Sequence, residues 1–529
     1  MNTLAGTPVL LRLALRRDRI TLPAWVYVLT ASVVSTALAF RSLYDTEDAR
    51  LRFAAGIAAN TSLRALYGPL YDPSTIGGLT AWRMAVFGAV LAGLMSTLLV
   101  VRHTRAEEED GRLELVGAGA VGRRAPLTAA LLAAATADLL LAALVAGCLT
   151  AAGQAPAGAL AFGLALGCCG LLFAGTAAVT AQLAGTARAA NGLAGTLLGT
   201  AFVLRAVGDA GPAWVGWLSP IGWVEQVRPF AENRWWVLLL PLTGAALATA
   251  AAYALVARRD LGAGLLPQRP GPAAGAPGLR TAAALAVRLH RGTLLGWAAG
   301  LAAAGLVFGG VSRGVLDLVG DNARVSEVIA RLGGRQGVLD AYFSTMGGLF
   351  GMVVAGYAVQ AVLRLRTEET SGRAEPVLAT AVSRLRWAAG HLLFPLAGSA
   401  VLLAVAGACS GLGQGAAMGG TGRAVARLLP AALAQLPAVW LAAAVALAVV
   451  GLAPRWSTAA WGALGLFLLI GWLGPILRLP QWALDLSPFT HIPHLPGGSF
   501  TAVPLLWLTA LAVLTAAAGL AGLHRRDLG

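Results

Sequence analysis

About twelve apolar stretches, each roughly 20 residues long, run through this chain with its charges gathered between them. That is the length a hydrocarbon layer of ~30 Å demands of a helix that crosses it. The stretches cover approximately Leu22–Phe40, Thr80–Val101, Ala125–Cys148, Ala157–Val179, Asn191–Val207 and Trp235–Val256. They continue with Leu294–Val311, Thr345–Leu363, Ala388–Gly411, Leu428–Val450, Thr458–Ile476 and Val503–Leu523. Gly and Pro interrupt the fifth and the eleventh, which makes these two candidates for broken helices. The expected fold is therefore an all-α polytopic membrane protein of about twelve transmembrane helices.

Composition closes off the main alternative. Charged residues make up 12% of the chain and the mean hydropathy is +0.73. A soluble helical protein of this size with a large core would carry about twice that charge. The net charge of +15 and a pI near 11.0 would suit a nucleic-acid binder if the basic residues formed one patch. They are instead scattered in short clusters between apolar stretches, so no nucleic-acid partner is expected. All 39 basic residues are Arg; the sequence contains no Lys. If both termini are cytoplasmic, 24 Arg fall on inner segments and 15 on outer ones, counting Arg83 and Arg205, near the outer ends of their stretches, with the outer set. The inner segments are also shorter, which is the asymmetry of the positive-inside rule. The four cysteines, Cys148, Cys168, Cys169 and Cys409, lie inside apolar stretches and read as packing residues rather than as a disulfide or metal framework.

Three markers recur in the same order in the two halves. Leu13, Ala14, Arg16, Arg19, Leu22 and Trp25 match Leu285, Ala286, Arg288, Arg291, Leu294 and Trp297 at a constant offset. Arg16-Arg17 before an apolar run ending Ala37-Leu38-Ala39 has the look of a signal peptide. Its recurrence mid-chain favours a basic interfacial segment leading into a retained span. Leu218-Ser219-Pro220 and Leu486-Ser487-Pro488 precede the two last spans. Each half then ends in Arg-Arg-Asp-Leu-Gly, at 258–262 and 525–529. The expected organisation is a first six-helix unit over 1–262, a Gly/Pro-rich cytoplasmic linker over 263–280, and a second six-helix unit over 281–529. With an even number of spans per unit the repeats are parallel, an arrangement that commonly flanks a substrate path.

A further recurrence, lying between the first of these markers and Leu-Ser-Pro, carries the functional signal. Arg105, Glu107, Glu108, Gly111, Arg112 and Glu114, after the second span, align without gaps with Arg366, Glu368, Glu369, Gly372, Arg373 and Glu375, after the eighth. A solvated loop under the positive-inside rule explains the Arg but not acids recurring in register. Such a mixed-charge surface is better explained as a docking element for a partner of complementary charge. The second copy, running Arg366 to Arg384 through Glu375-Pro376-Val377-Leu378-Ala379-Thr380-Ala381-Val382-Ser383, resembles the signature of ABC-2 type permeases. In that family this segment is the coupling helix that docks on the ATPase subunit. The first copy departs from the pattern at Leu115-Val116-Gly117-Ala118, while Leu218-Ser219-Pro220, Glu225 and Arg228 resemble the family's segment before the sixth helix. A fused double unit resembles actinobacterial permeases for polyketide or tetronasin-type antibiotics.

The resemblance implies an ATP-driven exporter of hydrophobic small molecules. A P-loop requires a Lys at the terminal phosphates, and this chain has none. ATP and Mg would then belong to a separate cytoplasmic ATP-binding-cassette subunit, in two copies, one per loop, with no cofactor in this chain. Two other classes remain open. A proton-coupled drug carrier shares the two-halved layout but usually needs intramembrane ionisable groups. Asp138 is the one acid placed within a span; it reads as a proton or substrate site, or as a polar packing residue bonded to a neighbouring helix, the reading preferred here. A membrane-embedded transferase would need a catalytic constellation, and His491 and His494 lack a third metal ligand. The outer segments Arg41–Leu79 and Ser312–Ser344, with Tyr44, Tyr67, Tyr71, Tyr342 and Phe343, are candidates for an outer gate. Trp214, Trp217, Trp223, Trp235 and Trp236 read as an interfacial belt.

Overall fold

The computed structural model describes residues 3–58, 64, 66–117, 119–260, 262–266, 273–276, 278–313, 316, 334–473 and 480–526. Among these there are helices and turns and no strand. The chain divides into two compact units, Met1–Gly271 and Pro272–Gly529, and the division falls inside the Gly/Pro-rich stretch.

In the first unit, α1 (Thr7–Arg17) is a short basic helix and α2 (Thr21–Leu43) the first span. A short helix, α3 (Glu47–Ala58), follows. The remaining spans are α4 (Ile76–Glu109), α5 (Ala125–Ala151), α6 (Pro156–Leu183) and α7 (Ala187–Ala210). A single turn pair, α8 (Pro220–Gln226), precedes the last span, α9 (Trp235–Val256). In the second unit the spans are α10 (Ala282–Gly310), α11 (Gly334–Thr370), α12 (Arg384–Met418), α13 (Thr421–Leu452) and α15 (Ala502–Arg525). Between the last two lies α14 (Ala459–Leu473), an apolar helix too short to count as a span by length. Eleven described helices are thus long and apolar enough to cross a membrane. The chain is a multi-pass, all-α membrane protein.

The two uncertain spans resolve differently. The fifth is one unbroken helix of 24 residues despite Gly192, Gly195 and Gly199. A Cβ at any of the three would meet nothing within 4 Å. Where no water competes for the backbone, such glycines leave a helix intact. The eleventh is α14 as far as it is described; the rest of the expected stretch, 474–476, lies outside the described residues, as does most of the expected outer segment 312–344.

Helices inside each unit meet through small residues. A side chain on Gly451 of α13 would overlap the Gly519 carbonyl of α15, and one on Gly413 of α12 would overlap the Leu306 carbonyl of α10. Lipid gives apolar helices no hydrophobic reason to associate, so close backbone approach of this kind supplies the attraction. The repeated Leu-Ser-Pro marker has one job in both units. Ser219 is buried and donates its hydroxyl to the Ala201 carbonyl of α7 (2.6 Å), while Ser487 donates to the Phe467 carbonyl of α14 (2.8 Å). In each unit the segment before the last span is thereby tied to the helix before it.

Gly451→Leu should cost roughly 1–3 kcal/mol or more of stability through overpacking. Gly462→Leu, where an added Cβ meets nothing within 4 Å, should stay within about 0.5 kcal/mol of the parent. Thermal denaturation in detergent, followed by size-exclusion monodispersity, separates the two. Equal losses would contradict the packing described.

Candidate functional site

The charged segment of the first unit is built as an extension of a helix. The apolar part of α4 ends at Val101, but the helix continues through a π-helical turn at Arg102–Ala106 to Glu109. His103, Thr104 and Arg105 are all buried in that turn. Gly111 then takes a left-handed backbone (φ 71°), and a second short helix, Arg112–Gly117, follows. The second unit repeats this plan. Helix α11 runs on to Thr370, Gly372 is left-handed (φ 68°), and a short helix, Glu375–Leu378, follows. A residue with a Cβ is strained in that conformation, which accounts for Gly at both positions.

The acids of both segments are held by partners within their own unit. Glu108 accepts from Arg105 (2.7 Å) and from two nitrogens of Arg259 (2.8 and 2.5 Å). Arg105, 1% exposed, also donates to the Ala181 and Ala263 carbonyls. In the second unit Glu369 accepts from Arg366 (3.1 Å) and from Arg526 (2.6 and 2.7 Å). Glu107 pairs with Arg17 (2.5 Å) and Arg112 (3.5 Å), and buried Glu368 pairs with Arg373 (3.0 Å) and Arg364 (3.3 Å). Arg112, Glu114, Arg373 and Glu375 are exposed, as are Asp110, Thr370 and Ser371. The faces open to a partner are therefore narrower than the motif. Sequence reasoning recorded Arg259 and Arg526 as repeat markers without linking them to the acids they bind.

Asp138 lies on α5, fully buried, with the Ser96 hydroxyl of α4 within 2.9 Å of both its oxygens. Space for it comes from α6, where a side chain on Gly170 would overlap the carboxyl. No other charged side chain of the described residues is recorded as bonding it.

The chain matches the family described as "Multidrug efflux system permease Rv1217c, C-terminal domain" over residues 9–256 and 279–524. It is 46% identical over 524 residues to the multidrug efflux system permease protein Rv1217c of Mycobacterium tuberculosis (strain ATCC 25618 / H37Rv), an alignment covering 99% of this chain and 95% of that one. The chain belongs to this family of multidrug efflux permeases.

At the opposite end of the first unit the permease holds a second charged cluster, of which the sequence reading singled out Glu225 and Arg228 but not Arg205 or Asp209. Arg205, inside α7 and fully buried, pairs with Asp209 one turn on (2.7 Å) and with Glu225 of α8 (2.7 Å), and donates to the Leu66 carbonyl (3.1 Å). An Arg within an apolar stretch was the available signal. Tyr71 and Arg228 stand nearby, the guanidinium lying 4.5 Å from the Tyr71 ring centroid. Burial, opposed by Arg205 and reinforced by Asp209, pushes the Glu225 carboxyl up to about 8.

The sign of the pH effect follows. Between about 4.5 and about 8 the folded permease keeps a proton on Glu225 that the unfolded chain has released. Its stability therefore falls as pH rises through that window. Thermal midpoints in detergent should drop from pH 6 to pH 8.5 in the parent and drop less in Glu225→Gln; parallel slopes would show that Glu225 is not the group responsible.

Proposed function

We propose that this permease is the membrane subunit of an ATP-driven efflux system for hydrophobic small molecules, of the ABC-2 type, with the charged segments facing the cytoplasm. The observation that carries the reading is the repeated segment itself. Two units each extend a span beyond its apolar part, turn at a left-handed Gly and present an exposed basic and acidic residue beyond it: Arg112 with Glu114, and Arg373 with Glu375. Charges that stay exposed on the segment, Arg112 and Arg373 while also pairing with Glu107 and Glu368, suit docking to a protein of complementary charge, where they govern encounter and register. The chain has no Lys, so a P-loop is impossible within it. ATP and Mg are assigned to a separate ATP-binding-cassette subunit, two copies in all, one on each segment. The name of the Mycobacterium tuberculosis relative supports drugs as the class of cargo, and an antibiotic of polyketide type is the finer expectation.

Inside-out vesicles containing the permease and its ATPase partner should accumulate ethidium when ATP is added. Reversing Asp110, Glu114 and Glu375 to Arg should reduce that uptake roughly tenfold, most strongly at low salt, with the permease still monodisperse. Uptake by the purified permease alone under a proton gradient would instead establish a secondary carrier. Undiminished uptake by the charge-reversed variant would remove the segments from the docking role.

A further inference from the structure

Two repeated features that are far apart in sequence meet in the structure. Arg259 is 151 residues from Glu108, and Arg526 is 157 residues from Glu369. Both Arg stand just beyond the last span of their unit, α9 and α15. Both close on the second acid of the charged segment, and in both the acid is also held by the Arg three residues before it. A third pair in register completes the arrangement. Arg123, just after the first segment, donates to the carbonyl of Arg259 (2.5 Å), and Arg384, just after the second, donates to the carbonyl of Arg526 (2.6 Å). The charged segment of each unit is thus gripped from both of its ends by one residue beyond the last span.

Packing alone does not hold the first segment in place. A cavity of about 400 Å³ lies beneath it, lined by Thr104, Leu113, Val121, Leu127 and Val256, with Glu108 and Arg259 at its wall. Across such a gap the ion pair, the Arg123 bond to the Arg259 carbonyl and the Arg105 bond to the Ala263 carbonyl link the segment to the chain just beyond the last span. Both partners are nearly buried, Glu108 at 6% and Arg259 at 8% exposure, so water screens the link little. Leu261 and residues 527–529 of the terminal motifs lie outside the described residues, and the two Arg carry the link without them.

We infer that Arg259 and Arg526 are positioning residues that latch the charged segment of each unit to the end of its last span, so that the two move as one body. The latch rests on the proposed function in one respect, that a partner's stroke enters through the charged segment. It gives the terminal Arg-Arg-Asp-Leu-Gly repeat a role: the second Arg carries movement from the docking surface into the bundle.

Two measurements on the full chain test it. Hydrogen exchange of the purified permease should show Arg259→Gln raising exchange at least tenfold in 105–117 with 366–378 unchanged, and Arg526→Gln doing the reverse. Each variant thereby serves as the other's folding control, and Glu108→Gln, which keeps the side chain's shape, should reproduce the Arg259→Gln pattern. In vesicles with the ATPase partner, both Arg variants should retain the partner on co-purification yet lose about tenfold in ATP-driven ethidium uptake, with Arg259→Lys recovering a substantial part. Unchanged exchange, or loosened segments with normal uptake, overturns the latch. If the unaltered permease shows no ATP-driven uptake, the proposed function fails, and the exchange data alone decide whether segment and span are joined.

Discussion

A charge inside a membrane protein must find a partner or reach water, and the described charges of this chain do one or the other almost wholly at the ends of its helices. Removing one member of a buried ion pair typically costs about 3–5 kcal/mol, because the other is left without compensation. The pairs therefore fix which helix ends can lie together. Asp18, between α1 and α2, bonds Arg102 (2.8 Å) and His103 at the end of α4. Glu109 accepts from the Ala187 amide at the start of α7 (2.9 Å), where the helix dipole favours an anion. With the Glu108–Arg259 pair, these contacts gather five helix ends of the first unit around one charged segment. The apolar interfaces fill the space between, but small residues in contact give little register of their own.

The spans were legible because a bilayer accepts so few kinds of backbone. Nine of the twelve expected stretches appear as long helices, the tenth is interrupted by a turn at Ala434–Gln435, and the fifth proved continuous because glycines facing open space do not break a helix where water is absent. The eleventh is described as an apolar helix of 15 residues, and the last three positions of its expected stretch, 474–476, lie outside the described residues. Boundaries at the charged segments were misplaced. Apolar content ends at Val101 and near Leu363, yet the helices run to Glu109 and Thr370, since Arg105–Glu108 and Arg366–Glu369 pairs three residues apart support another turn.

The candidate site was legible in its residues and not in its geometry. Acids recurring in register pointed to something beyond membrane insertion, and Gly111 and Gly372 do occupy left-handed turns. That Glu108 and Glu369 meet Arg259 and Arg526 could not be read, because these partners lie at the far end of each unit in sequence and pairing across such separations leaves no local pattern. The same blindness hid Arg205. Its partner Asp209 is a helical neighbour, but Glu225 reaches it only through the fold of α8 back onto α7.

The two latches share one plan in different surroundings, and the difference bears on what can dock. In the first unit Arg259 also donates to Gln182 (2.6 Å), Arg105 to two carbonyls, and Arg17 of α1 reaches Glu107. In the second, Glu369 has its two Arg, while Glu368 draws on Arg364 and Arg373 from its own segment. The first segment is thus bound into more of its unit, whereas the second carries the fuller resemblance to a coupling element. A partner docking on both, as proposed, would find a segment that, among the described residues, is backed by more of its unit in the first half than in the second. Equal strokes delivered to the two would not produce equal movements, so the internal repeat need not make the two halves functionally equivalent.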